Sequence, residues 1–175
     1  MLRNLFRQRP DERQGDALYA LAVEQARQPA FYTSLGVTDQ IDARFELYTL
    51  HVLILFLRLK QDGERGEVAA QKLFDTYISS LDNTLRELGV GDVSVGKKMR
   101  KLGESLYGRM SAYEGPLRAE DIDALAVSLA RNVYESVEAA TGQALARYAV
   151  TSRQNLATQT FEAVSRAPAW AEITV

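Results

Sequence analysis

The segment from Asp39 to Gln61 holds an unbroken apolar run, Val52 to Leu57 (VLILFL), bounded by His51 and Arg58, and its middle is apolar on every side of a helical projection. A helix that is hydrophobic all round has no face to give to water, so other elements must wrap it. The sequence therefore predicts a central helix over about 41–59 with the rest of the chain packed around it. The run is far shorter than the ~20 apolar residues that a membrane-spanning helix needs, which makes it a core element and not a span.

The remaining apolar spacing is helical almost throughout, and proline is scarce. It predicts an all-α single domain of about six helices and no strand. The first helix covers about Asp11 to Arg27 and stops before Pro29, whose ring disfavours helix in the preceding residue. A connector, Ala30 to Val37, buries Phe31, Tyr32 and Leu35. After the central helix, the third covers about Glu64 to Leu88, with Phe74, Ile78, Leu81, Leu85 and Leu88 as its buried stripe. The fourth runs from Asp92 to Tyr113, with Val95, Met99, Leu102, Leu106, Met110 and Tyr113 on one face, and ends at Gly115-Pro116. The fifth spans about Ala119 to Glu138, with Ile122, Leu125, Leu129, Val133 and Val137 inward. The sixth spans about Thr141 to Arg166. The expected division is a basic N-terminal tail (1–10), a helical domain (11–167) and a loose C-terminal tail (168–175) that includes Trp170.

Composition removes whole classes of chemistry. There are no cysteines, so disulfides, thiolate catalysis, iron–sulfur clusters and thiolate zinc sites are excluded. The net charge is −2, so bulk charge gives no argument for binding DNA, and any basic site is a local patch. The stretch from Gly91 to Lys98 nearly matches a phosphate-binding loop, but Lys98 stands where a magnesium-binding hydroxyl is required, and a helix precedes it instead of a strand. A capped helix–turn–helix corner accounts for it better, with Asp92 or Ser94 as the cap. Glu120, Asp121 and Asp123 fall at a helix start, where acidic side chains favour the dipole. Glu135 and Glu138 lack the histidine of a di-iron motif. His51, the only histidine, has Leu47, Tyr48, Ile54 and Leu55 as its helical neighbours. The expectation is a protein with no cofactor, no metal and no enzymatic activity.

Binding features remain. Lys97, Lys98, Arg100 and Lys101 form a concentrated positive face, with Arg109 at one flank. It is either a solvated helix face or an attractor for an acidic protein, ribosomal RNA or anionic lipid. Arg44, His51 and Arg58 are spaced by seven and line one seam of the central helix. That seam either half-faces water, bonds to a neighbouring helix, or recognises a partner. Gly96 and Gly103 lie on one side of the fourth helix, where a helix packed closely against them, from the fold or a partner, would offset their helix-weakening effect. At the N-terminus, Leu2, Leu5 and Phe6 alternate with Arg3, Arg7 and Arg9, as in a short interfacial anchor or a frayed tail.

The stretch LGVGDVSVGKKMRKLGESLYGR (Leu88 to Arg109), with QPAFY (Gln28 to Tyr32) and DARFELYTLHV (Asp42 to Val52), resembles the ubiquinol–cytochrome c chaperone family. The resemblance runs from about Gln28 to Pro116, is densest over 88–109 and weakens beyond. It implies an all-helical, non-enzymatic factor that assists assembly of the respiratory cytochrome bc1 complex. The mitochondrial members look after newly made cytochrome b with a small partner protein, close to the ribosome and the inner membrane. Without a long N-terminal extension, this chain looks like a bacterial member acting at the cytoplasmic face, peripheral to the inner membrane. The implied partners are cytochrome b or another bc1 subunit, an anionic membrane surface and the ribosome. Two competitors are a generic helical interaction module that forms a stable complex or homodimer, and a small helical enzyme or cofactor binder supported only by His51 and the imperfect phosphate loop.

Overall fold

The computed structural model describes residues 10–87 and 92–174, and their side chains except those of 10–12, 85 and 92–102. Among the described residues all regular structure is helical. The helices are α1 (Pro10–Ala26), α2 (Pro29–Thr33), α3 (Ile41–Leu59), α4 (Gly63–Glu87), α5 (Asp92–Ala119), α6 (Ile122–Val133), α7 (Gln143–Ala157) and α8 (Phe161–Val164). Single 3-10 turns precede α4 and α7.

The centre is α3. Leu50 through Leu55 are all buried, as are Leu57, Arg58 and Leu59. Helices α1 and α4 pack on one another and on α3, while α5, α6 and α7 close round its other sides. The α1–α4 approach is close because of Gly15: a β-carbon there would sit 2.7 Å from the Lys72 carbonyl oxygen.

Several expectations change. The connector contains the one-turn helix α2, started by Pro29, and it buries Phe31 and Leu35 but leaves Tyr32 half-exposed. The buried stripe of α4 is Ala69, Ala70, Leu73 and Tyr77, with Phe74, Ile78 and Leu81 half-buried on its flank. Helix α5 continues through Pro116 to Ala119. The break comes instead at Glu120, in the left-handed region (φ 56), and Asp121 then caps α6 by accepting from the Ala124 N–H at 2.9 Å. Helix α6 ends at Val133 because Glu135 turns left-handed (φ 52), which leaves Val137 fully exposed. The expected sixth helix is interrupted after Ala157 and resumes as α8. The C-terminal tail is not loose. Ala171 is buried, its N–H donates to the Ser152 hydroxyl at 3.0 Å, and Trp170 packs on the core.

Candidate partner-binding surface

The polar groups of α3 fall into buried clusters and one exposed corner, and the division decides what the protein can offer a partner. His51 is fully buried. Its Nδ1 lies 2.8 Å from the Leu47 carbonyl, which can only accept, so Nδ1 carries the proton. Its Nε2 then accepts from the Tyr148 hydroxyl at 2.8 Å, and Gln25 Nε2 donates to that same hydroxyl at 3.0 Å. Phe31 and Trp170 stand edge-on to the imidazole, with ring centres 5.2 Å away in each case. Burial holds the His51 pKa down at about 4, so the ring is neutral at ordinary pH. Every bonding capacity of the one histidine is used internally.

Arg58 is also buried. Its Nε donates to the Leu156 carbonyl at 2.8 Å, its Nη1 pairs with Asp62 and its Nη2 donates to the Gln159 carbonyl. It thereby ties α3 to the C-terminal turn of α7, where the Leu156 carbonyl also accepts from the Gln159 N–H at 3.1 Å. Arg44, by contrast, is exposed and pairs with Asp39 at 2.6 Å. The seven-residue seam thus divides: His51 and Arg58 are turned into the core and present nothing to a partner, and Arg44 alone reaches the surface.

Two clusters escaped the sequence reading. Glu46 is buried, and its two carboxylate oxygens accept from Arg109 Nε at 2.8 Å and the Tyr113 hydroxyl at 2.9 Å, locking α5 to α3. Burial pushes the Glu46 carboxyl up, and the bonds from Arg109 and Tyr113 oppose that shift. On the other side the Thr49 hydroxyl donates to the Phe45 carbonyl and meets the Tyr77 hydroxyl at 2.7 Å. The only signal for either was a polar residue in an apolar helix, and its partner lies 28 to 67 residues away.

The exposed corner lies where α1 ends and α3 begins. Ile41 is 68 % exposed, and Phe45 and Tyr48 follow it at helical spacing, both half-buried. Arg27 donates from Nε to the Tyr48 hydroxyl at 2.8 Å, its guanidinium 5.7 Å from that ring's centre. Tyr32 lies beside them, its hydroxyl donating to the Ala26 carbonyl at 3.3 Å.

Helix α5 offers a different surface. The side chains of Lys97, Lys98, Arg100 and Lys101 and the surroundings of Gly96 lie outside the described residues, as does the whole segment of Leu2, Arg3, Leu5, Phe6 and Arg7. Arg109 belongs to the Glu46 lock and not to a free basic face. Gly103 has open space where a β-carbon would sit, so nothing among the described residues packs closely there. Tyr107 is 79 % exposed. A shallow cleft of ≈ 330 Å³ between α7 and the C-terminal segment is lined by Arg147, Thr151, Asn155 and Glu172 among others. No helix among the described residues is long and apolar enough to cross a membrane.

A sequence model of the ubiquinol-cytochrome C chaperone family matches residues 33–170, so the likeness continues well past Pro116. The chain is 23% identical over 116 residues to ubiquinol-cytochrome-c reductase complex assembly factor 1 of Xenopus laevis, covering 66% of this chain and 58% of that protein. It is 22% identical over 117 residues to the Mus musculus factor of the same name, covering 67% of this chain and 39% of that protein. The chain thus matches less than two thirds of the length of these relatives. Among solved structures, the crystal structure of the Cbp3 homolog from Brucella abortus superposes with a TM-score of 0.82 at 32% identity, over 93% of this chain and 91% of that one.

Proposed function

This chain belongs to the ubiquinol–cytochrome c chaperone family, and from that premise we propose that it is an assembly chaperone for the cytochrome bc1 complex, with cytochrome b or another bc1 subunit as its client. The observation that carries the reading is the combination of a family match over residues 33–170 with a likeness to the Cbp3 homolog along nearly the whole chain. The chemistry of the interior agrees with it. His51, which the sequence offered for catalysis, and the buried Glu46, which it did not, are each held in a closed set of internal bonds. The protein works by binding.

The place of action is the cytoplasmic face of the inner membrane. Residues 1–9 supply a weak contact to anionic lipid through Leu2, Leu5, Phe6 and the arginines, each basic residue contributing about 1 kcal/mol near such a surface. Deleting 1–9 releases the protein from anionic liposomes at low salt; unchanged sedimentation removes that part of the proposal. Lys97, Lys98 and Lys101 steer the client or its translation machinery by charge. The test of the main proposal is affinity capture of the tagged, full-length chain from native membranes. Cytochrome b or another bc1 subunit enriched over an untagged control supports it. A capture free of bc1 subunits, from cells that are assembling the complex, overturns it.

A further inference from the structure

We propose that the corner formed by Arg27, Ile41, Phe45 and Tyr48 is a docking surface for a segment of the client that places an apolar side chain beside a single carboxylate. This rests on the assembly-factor reading above and goes beyond it by naming the surface and the chemistry of its occupant.

The two sequence stretches QPAFY and DARFELYTLHV each divide into an inward and an outward half. The inward residues, Phe31, Glu46, Leu47 and His51, are consumed by the core. The outward ones, Tyr32, Arg44 and Tyr48, converge on the α1–α3 corner. Ile41 stands 68 % exposed at the start of α3, although every position from Leu50 to Leu55 in the same helix is buried. Its neighbours along the helix face, Phe45 and Tyr48, are half-covered and extend the apolar strip.

Arg27 supplies the polar half of the recognition. Among the described residues no carboxylate pairs with it; a phenol holds it, through the 2.8 Å bond to Tyr48. Nearby Arg44, in contrast, is engaged by Asp39. An arginine already oriented by a tyrosine loses little freedom on binding, and its planar fork suits a carboxylate. Tyrosine and arginine beside an apolar anchor are the residue types that carry most of the energy in protein interfaces.

The charges around the patch select the class of partner. Glu24 lies one turn back on α1, Asp42 follows Ile41 and Asp39 precedes it, all exposed. A polyanion, whether nucleic acid or an anionic bilayer, meets these three carboxylates as well as the two arginines and gains little. A single carboxylate delivered to Arg27 by a neighbouring apolar contact avoids them.

The test uses the full-length tagged chain with Ile41→Asp and Arg27→Glu, both at exposed positions, captured from native membranes beside wild type. Thermal unfolding first establishes that each variant is folded. Each variant is expected to recover at least tenfold less bc1 subunit than wild type, with Arg27→Lys intermediate because it keeps the charge and loses the fork. Equal recovery by wild type and both variants overturns the docking surface and leaves the assembly-factor reading standing. A wild type that recovers no bc1 subunit overturns both. Sedimentation equilibrium supplies the remaining arm: a wild-type dimer that Ile41→Asp converts to monomer shows that the occupant is a second copy of the chain, and overturns the proposed partner.

Discussion

Arg58→Met tests the buried half of the α3 seam. Methionine keeps the apolar stem and removes the guanidinium. The change deletes donated bonds to the Leu156 and Gln159 carbonyls, at the end of α7, and the ion pair with Asp62. A hydrogen bond to a charged group contributes about 1.5–3 kcal/mol. Asp62 is not abandoned, because Arg65 remains 3.7 Å away, which keeps the loss below the sum of the separate bonds. The expected destabilisation is about 3–4 kcal/mol, a fall in Tm of roughly 7–15 °C for a chain of this size. Urea unfolding followed by far-ultraviolet circular dichroism measures it, with an unchanged m-value showing that the loss is in the native state. Arg44→Met is the control: its pair with Asp39 is exposed on both sides and exposed pairs contribute little, so its midpoint stays at the wild-type value. A loss below about 1 kcal/mol for Arg58→Met, or equal losses for the two variants, refutes the assignment of Arg58 as the tie between α3 and α7.

Three further outcomes follow from the same geometry. His51 has a pKa of about 4 when folded, against an ordinary value of 6.5, so below pH 6.5 the unfolded chain takes up a proton that the folded chain refuses. The associated stability, about 3 kcal/mol, is complete above pH 6.5 and is lost as the pH falls toward 4. Glu46, whose carboxyl is pushed up by burial, acts in the opposite sense, so the diagnostic is the difference between wild type and His51→Gln. Parallel stability curves for the two between pH 6.5 and 4.5 contradict the assignment. Gly103→Ala meets open space and raises stability by up to about 1 kcal/mol, whereas Gly142→Ala pushes a β-carbon to 2.8 Å from the Ala130 amide and costs about 1–3 kcal/mol; thermal scans giving the same sign for both refute this packing. Replacing Lys97, Lys98 and Lys101 by glutamate leaves the melting temperature unchanged and lowers the yield of assembled bc1 complex; normal yield from a folded triple variant reduces those lysines to a solvated face.

The central helix was legible because an all-round apolar segment admits one placement. The α-only class followed from spacing that repeats at three and four residues. Boundaries were harder where a local rule met a tertiary one. Gly115-Pro116 reads as a stop, yet α5 passes through it and buries Leu117. The turn falls at Glu120, which takes a left-handed backbone and whose side-chain carboxylate accepts from Arg153 and Gln154 on α7. Trp170 read as part of a free tail because its partner ring, on His51, is 119 positions earlier in the sequence. The same distance effect hid the surface. Arg44, His51 and Arg58 share a helical side, but α7 covers two of them and leaves the third. Arg27 carried no signal of its own until the fold set it against Tyr48.

Deleting the chain from its native cell and quantifying assembled bc1 complex is the most direct test of the proposed function. Reduced-minus-oxidised spectra of the membranes report the b-type haems of the complex, and native electrophoresis reports the assembled form. The expected result is a selective loss of bc1 complex, with other respiratory complexes at normal levels, restored by the full-length chain. Membranes from the deletion strain with wild-type amounts of assembled, haem-loaded bc1 complex contradict the proposal.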